Sequence, residues 1–172
     1  MKIAYTMAPE RGGTDLLLFD VAKRLLRRGI RCCGTVQINT GRAEGLCDMD
    51  VRILPDGPVV RISQNLGPAS KGCRLDPVAL ETAVAQVSAS LDTGADLLIV
   101  NKFGKHEADG RGFREVIAKA IGLDIPVIVG VNTLNLRRFQ DFVGEDAVQL
   151  APSSTAILDW LDRQLVPRQA VS

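Results

Sequence analysis

Apolar and polar positions along this chain switch between two periods, and the switching outlines an α/β protein. Residues 3–6, IAYT, form a short apolar run that reads as a buried strand. Residues 7–13 interrupt it with a proline and a glycine pair. From Thr14, the segment TDLLLFDVAKRLLRRG sets Leu17, Leu18, Val21, Leu25 and Leu26 at helical spacing. Arg27 and Arg28 suit the negative end of that helix, and Gly29 stops it. Residues 30–37, IRCCGTVQ, are small or β-branched and predict a second strand.

The middle of the chain changes period. CDMDVRILPDGPVVRIS alternates apolar and polar residues on both sides of Asp56 and Gly57, which predicts a β-hairpin whose flanking prolines make the turn irregular. QNLGPASKGCRLDP is too rich in Gly, Pro and polar residues for regular structure. Asp76 then offers an N-cap with Pro77 at the first helical position, and the helix runs to Gly94. Residues 95–100, ADLLIV, are continuously apolar at their core, as in a central parallel strand. A polar loop, NKFGKHEADGRG, follows. FREVIAKAIGL reads as a helix, IPVIVGV as a buried strand, and TLNLRRFQDFVG as a short helix from Thr133. AVQLA offers a last strand, and SSTAILDWLDRQL a closing helix capped by Ser153 or Ser154, with a frayed tail from Val166.

Strands alternating with helices imply right-handed crossovers and a three-layer, mostly parallel sheet, with the hairpin as an antiparallel insertion or edge. A length of 172 residues fits one domain, 1–172, with room for a substantial core. A net charge of +1 and an aromatic content of 4% exclude strong steering toward nucleic acid or an acidic membrane and leave no base-stacking platform. The absence of a long apolar run or leader-like segment predicts a cytoplasmic protein that does not cross a membrane. Cys32, Cys33, Cys47 and Cys73 make no CxxC pair, so free thiols are expected and no metal centre is assigned.

Ligands of parallel sheets sit beyond the carboxyl ends of the strands, which directs attention to two loops. The first, MAPERGGT, aligns with the phosphate-loop pattern GxxxxGK[ST], but Met7 replaces the first glycine and Gly13 the lysine. A glycine-flexible turn feeding a helix still presents backbone N–H groups and a helix dipole to an anion. Gly12, Gly13 and Thr14 form that cradle, Asp15 follows it, and Arg11 is the nearest cation. The plain alternative is a tight turn that binds nothing. The second loop is denser. Asn101 stands where a phosphate-loop protein would carry acids for Mg²⁺, and Lys102, Gly104, Lys105, His106 and Glu107 follow. Lys105 could supply the charge missing from the first loop, and Glu107 is the candidate general base, with His106 as an alternative. The competing reading is a solvated loop shaped by its glycines.

The basic loop between hairpin and helix adds Lys71 and Arg74, whose charges suit a phosphate or another oxyanion. Gln37, at the end of its predicted strand, could reach a ligand through its amide. Cys47 and Cys73 could ligate a soft metal or act as small hydrophobes. Asp48 and Asp50 share a strand face and could hold a cation or simply meet solvent.

The stretches GTVQ, CDMDV, ISQNLGPASKGCRLDP, ADLLIVNKFGKHEADGRG and IPVIVGV, in this order, resemble a bacterial domain-of-unknown-function family often associated with molybdenum-transport genes. That family is similar to small P-loop nucleoside-triphosphatases of the thermophile type, which carry an acidic pair and an IGKME-like run where this chain has NKFGKHE. The resemblance implies a P-loop NTPase-like fold with a degenerate Walker A loop. It maps Gly12, Gly13 and Thr14 onto the phosphate loop, and Gly104, Lys105 and Glu107 onto the second loop. It implies a small anionic ligand: a nucleotide with Mg²⁺, or an oxyanion such as molybdate. Because lysine is missing at Gly13 and acids are missing at Asn101 and Lys102, the expectation is binding with little or no hydrolysis. The alternative is a nucleoside-triphosphatase or phosphotransferase using Lys105 and Glu107. The closing helix, residues 152–165, could pair with a second copy as a homo-oligomer.

Overall fold

The computed structural model describes residues 1–41, 47–64 and 74–165. In chain order its elements are β1 (Ile3–Thr6), α1 (Gly13–Arg27), β2 (Cys32–Gly41), β3 (Cys47–Leu54), β4 (Val59–Arg61), β5 (Ser63–Gln64), β6 (Arg74–Leu75), α2 (Pro77–Asp92), β7 (Leu97–Phe103), α3 (Lys105–Ala108), α4 (Arg114–Gly122), β8 (Val127–Val131), α5 (Leu136–Val143), β9 (Val148–Leu150) and α6 (Ser154–Gln164).

Seven strands form one sheet in the order β4-β3-β2-β7-β8-β1-β9. The five from β2 to β9 run parallel, with Leu98 opposite Val127 and Ile3 opposite Val127 on the other side. The predicted hairpin lies at the β2 edge: β3 pairs antiparallel with β2 and with β4. The short pair β5 and β6 was not anticipated from the sequence.

Alternation along β7 builds the layers. Leu97 and Ile99 enter a core with Leu18, Val21 and Leu25 of α1 and Ile157 and Leu161 of α6. Leu98 and Val100 enter the opposite core, with Leu80 and Val87 of α2, Ile117 of α4 and Phe139 of α5. All four β7 residues are fully buried, as expected of a strand covered on both faces. Asp76 caps α2 through amides of Val78 and Ala79, and Ser153 caps α6 through that of Ala156.

Two boundaries near the sheet's carboxyl edge differ from the sequence reading. β2 runs beyond Gln37 to Gly41, because it gains β3 as a partner. β7 runs through Asn101 and Lys102 to Phe103, so these residues belong to a strand and not to a loop. Phe103 holds the extension: it is fully buried, edge-on to Phe139 at 5.3 Å and stacked with Phe142 at 6.0 Å. Cys32 and Cys33 are buried free thiols, and burial raises them to about 12 and about 11. No helix among the described residues is long and apolar enough to cross a membrane.

Candidate functional site

The strand-to-helix turn after β1 closes on its own backbone and one hydroxyl. Gly12 takes a left-handed φ of 77° at the N-cap of α1, a conformation costly for other residues. Gly13 N–H donates to the Glu10 carbonyl at 3.1 Å, and Ala8 N–H donates to Thr14 Oγ1 at 2.9 Å. The amides of Thr14 and Asp15 are at the second and third helical positions, which have no intrahelical acceptor. The turn frames a cleft of about 740 Å³ with Asn101, Lys102 and the segment after β8, including Asn132 and Thr133. Gly130 lets these walls meet: a side chain there would collide with the Asn101 carbonyl and the Thr14 methyl.

Arg11 and Lys102 are exposed at this cleft. Glu10 folds over Gly13, where a Cβ would come within 2.8 Å of Glu10 Cγ and 2.9 Å of its Oε1. The position that carries lysine in the phosphate-loop pattern is therefore overlain by a carboxylate arm.

Asn101 forms the wall beside Asp15 and is 3% exposed. Its Nδ2 donates to Asp15 Oδ1 at 2.8 Å and to Gln37 Oε1 at 3.3 Å, while its Oδ1 accepts the Gln37 N–H at 3.0 Å. This amide ties α1, β2 and β7 together. It also bears on Mg²⁺, which the fold family implies. Thr14 Oγ1 accepts an amide proton, and Asp15 accepts a side-chain amide where the pattern would need a second acid. No cluster of three or more His, Cys, Asp or Glu suited to a metal occurs among the described residues. Among the described residues there is thus no all-protein cage for a divalent cation, and Mg²⁺ here would depend on the phosphate oxygens of a ligand.

The second loop becomes a short helical turn. Glu107 is 3% exposed; its Oε2 accepts the Gly104 N–H at 2.9 Å and its Oε1 the Phe113 N–H at 3.2 Å. Burial raises its carboxyl above the ordinary value, against the lowering effect of those amides. His106 Nε2 meets Glu81 Oε1 at 3.0 Å, and the same oxygen accepts the Gly112 N–H at 2.9 Å. Lys105 is exposed and lines a second cavity beside the first, not the loop cleft; Lys102 lines both.

Arg11, Gly12, Thr14, Asp15, Asn101 and Lys102 thus converge on the first cleft, with Gly13 beneath Glu10. Gln37, Gly104, Lys105 and Glu107 border the second cavity. Lys71 and Cys73, and the side chains of Arg74 and Cys47, lie outside the described residues. Asp48 and Asp50 do not make a cation site: Arg61 bridges them at 3.1 and 2.9 Å. Asp96, at the far end of β7, pairs with Arg31 at 2.7 Å, and that hydrogen bond holds its carboxyl below the ordinary value. Sequence reasoning missed Glu10 and the Asn132–Thr133 segment. The latter had a legible signal, because it follows the buried strand IPVIVGV at the same edge as the other two loops.

The parallel order with its turn-to-helix cradle gives the chain a P-loop NTPase-like α/β fold. Solved structures agree at the level of fold. A human cancer-related nucleoside triphosphatase superposes with a TM-score of 0.64 at 15% identity, covering 95% of this chain and 97% of its own. THEP1 from the hyperthermophile Aquifex aeolicus gives 0.63 at 17% identity, covering 95% and 96%. The chain belongs to the family of proteins of unknown function called DUF2478, whose model matches residues 3–160. It is also similar to the molybdenum import ATP-binding protein ModC 2 of Bradyrhizobium diazoefficiens, 32% identical over 161 residues. That match spans 92% of this chain but only 18% of the length of ModC 2.

Proposed function

We propose that this protein binds a small anion, a nucleotide or a tetrahedral oxyanion, at the start of α1, with little or no hydrolysis. The observation that carries this reading is the roomy cleft at the first turn of α1, with Arg11 and Lys102 at its rim. Backbone N–H groups and the helix dipole attract negative charge there without a phosphate-loop lysine. The similarity to a molybdenum import ATP-binding protein supports both ligand types and makes molybdate the oxyanion of choice. Weak turnover follows from electrostatics. Transfer of a phosphoryl group needs charge stabilisation at the transition state, and here Gly13 replaces lysine while Asp15 is tied to an amide.

The test is thermal melting with ATP, GTP, phosphate, molybdate and tungstate, each with and without Mg²⁺. Stabilisation independent of Mg²⁺ supports the proposal. Stabilisation only with Mg²⁺ and a nucleotide, accompanied by phosphate release, overturns it in favour of a nucleoside-triphosphatase. That second reading draws on the nucleoside triphosphatase among the structural neighbours. It requires Glu107 to leave two backbone amides before it can take a proton.

A further inference from the structure

The second cavity has a different character from the cleft at α1. It measures about 250 Å³ and lies between β3, the start of α2 and α3. Met49, Val51, Ile62, Leu80 and Phe113 supply an apolar floor. The polar groups around it are already engaged. Both Glu107 oxygens accept backbone amides, His106 is held by Glu81, and the Asn101 amide is shared between Asp15 and Gln37. No buried side-chain nitrogen or oxygen among the described residues lacks a partner. The chamber therefore offers apolar contact inside; of the charged groups on its wall, Glu107 has its oxygens turned onto amides, and the two exposed lysines at the rim, Lys102 and Lys105, are the cations that face a ligand's anionic group.

We propose that this cavity is a second ligand site, for a compact organic anion with a single-ring or similarly sized apolar body and one carboxylate or phosphate group. The body fills the floor between Val51, Leu80 and Phe113, and the anionic group meets Lys105 and Lys102. Size sets the upper limit, since a cavity of about 150 Å³ holds a benzene ring, and 250 Å³ adds room for a substituent. A bare inorganic oxyanion gains nothing from this floor, and water inside it finds few free partners. The inference goes beyond the reading of the first cleft and does not require it.

Titration calorimetry on the full chain separates the contributions. Benzoate and phenyl phosphate are the probes; acetate and inorganic phosphate lack the ring, and benzyl alcohol lacks the charge. At least one aromatic anion is expected to bind about tenfold or more tightly than its ringless counterpart and than benzyl alcohol. Comparing the two anions tells carboxylate from phosphate. Lys105→Gln should weaken the aromatic anion several-fold without changing benzyl alcohol. Val51→Phe should abolish the gain from the ring by filling the floor; if that variant does not fold, Met49→Phe at the half-buried neighbour serves instead. Equal affinity of ringed and ringless anions, affinity of neither aromatic anion above that of benzyl alcohol, or absence of binding by both probes overturns the proposal.

Discussion

The turn after β1 and the turn after β7 use polar residues in opposite ways. The first looks sparse in sequence, with two glycines and one threonine where a lysine should stand. Folded, it lines a cleft of about 740 Å³ at the start of α1. The second is the densest polar stretch in the chain, yet its buried members brace the fold. Glu107 holds Gly104 and Phe113, and Glu81 holds His106 and Gly112. A concentration of chemistry-bearing residues marks where polar groups meet, and the structure decides whether they face a ligand or each other.

The largest test of this contrast is Glu107→Ala. It leaves two amides at the base of α3 and α4 without acceptors, one of them wholly buried, and should cost about 3 kcal/mol, read by chemical denaturation. A merely exposed loop acid would cost almost nothing. The same residue predicts a pH effect. Its folded carboxyl lies above the unfolded value of 4.5, so the folded state holds a proton that the unfolded state has lost. Its contribution makes stability fall as pH rises from about 4.5 through the raised value, then level off. Glu107→Gln should remove that part of the profile.

Asn101→Asp comes next. It would set a carboxylate against Asp15 Oδ1, now 2.8 Å from the Asn101 amide, and replace an attraction with repulsion. A loss of about 2 kcal/mol at neutral pH is expected. Partial recovery on adding Mg²⁺, seen as a rise in melting temperature absent from the parent, would show that one amide separates this cleft from a metal site.

Smaller effects discriminate between the lysines. Lys102→Ala should weaken phosphate or molybdate at the first cleft by about 1 kcal/mol, and Lys105→Ala by much less, because only Lys102 lines that cleft. Titration calorimetry decides, and the reverse order would reassign the two sides of β7. Gly13→Lys, which restores the missing ammonium, should change nucleotide affinity little alone. It should tighten it more when combined with Glu10→Ala, since the Glu10 arm occupies the space above Gly13.

Much of the frame was legible beforehand. The apolar runs ADLLIV and IPVIVGV, the cap at Asp76, the choice of Ser153 or Ser154 for the last helix, and the alternating hairpin all emerged from local period and cap chemistry. The end of β7 did not, because polar Asn101 and Lys102 resemble a loop until Phe103 is seen buried beyond them. The site was half legible. Two loops at the carboxyl edge were listed from the strand pattern and the one after β8 was missed, and the residues could not be sorted between two cavities.

By itself the sequence determined the main alternation of strands and helices along the chain, the hairpin, and a glycine turn leading into the first helix, since these follow from interactions within a few residues. Tertiary structure alone decided that Asn101 would lock onto Gln37 and Asp15, 64 and 86 positions away, and that Lys102 would reach both cavities while Lys105 reached one. Those outcomes depend on which strands become neighbours in the sheet, a choice made by the packing of both apolar faces together and not by any local pattern.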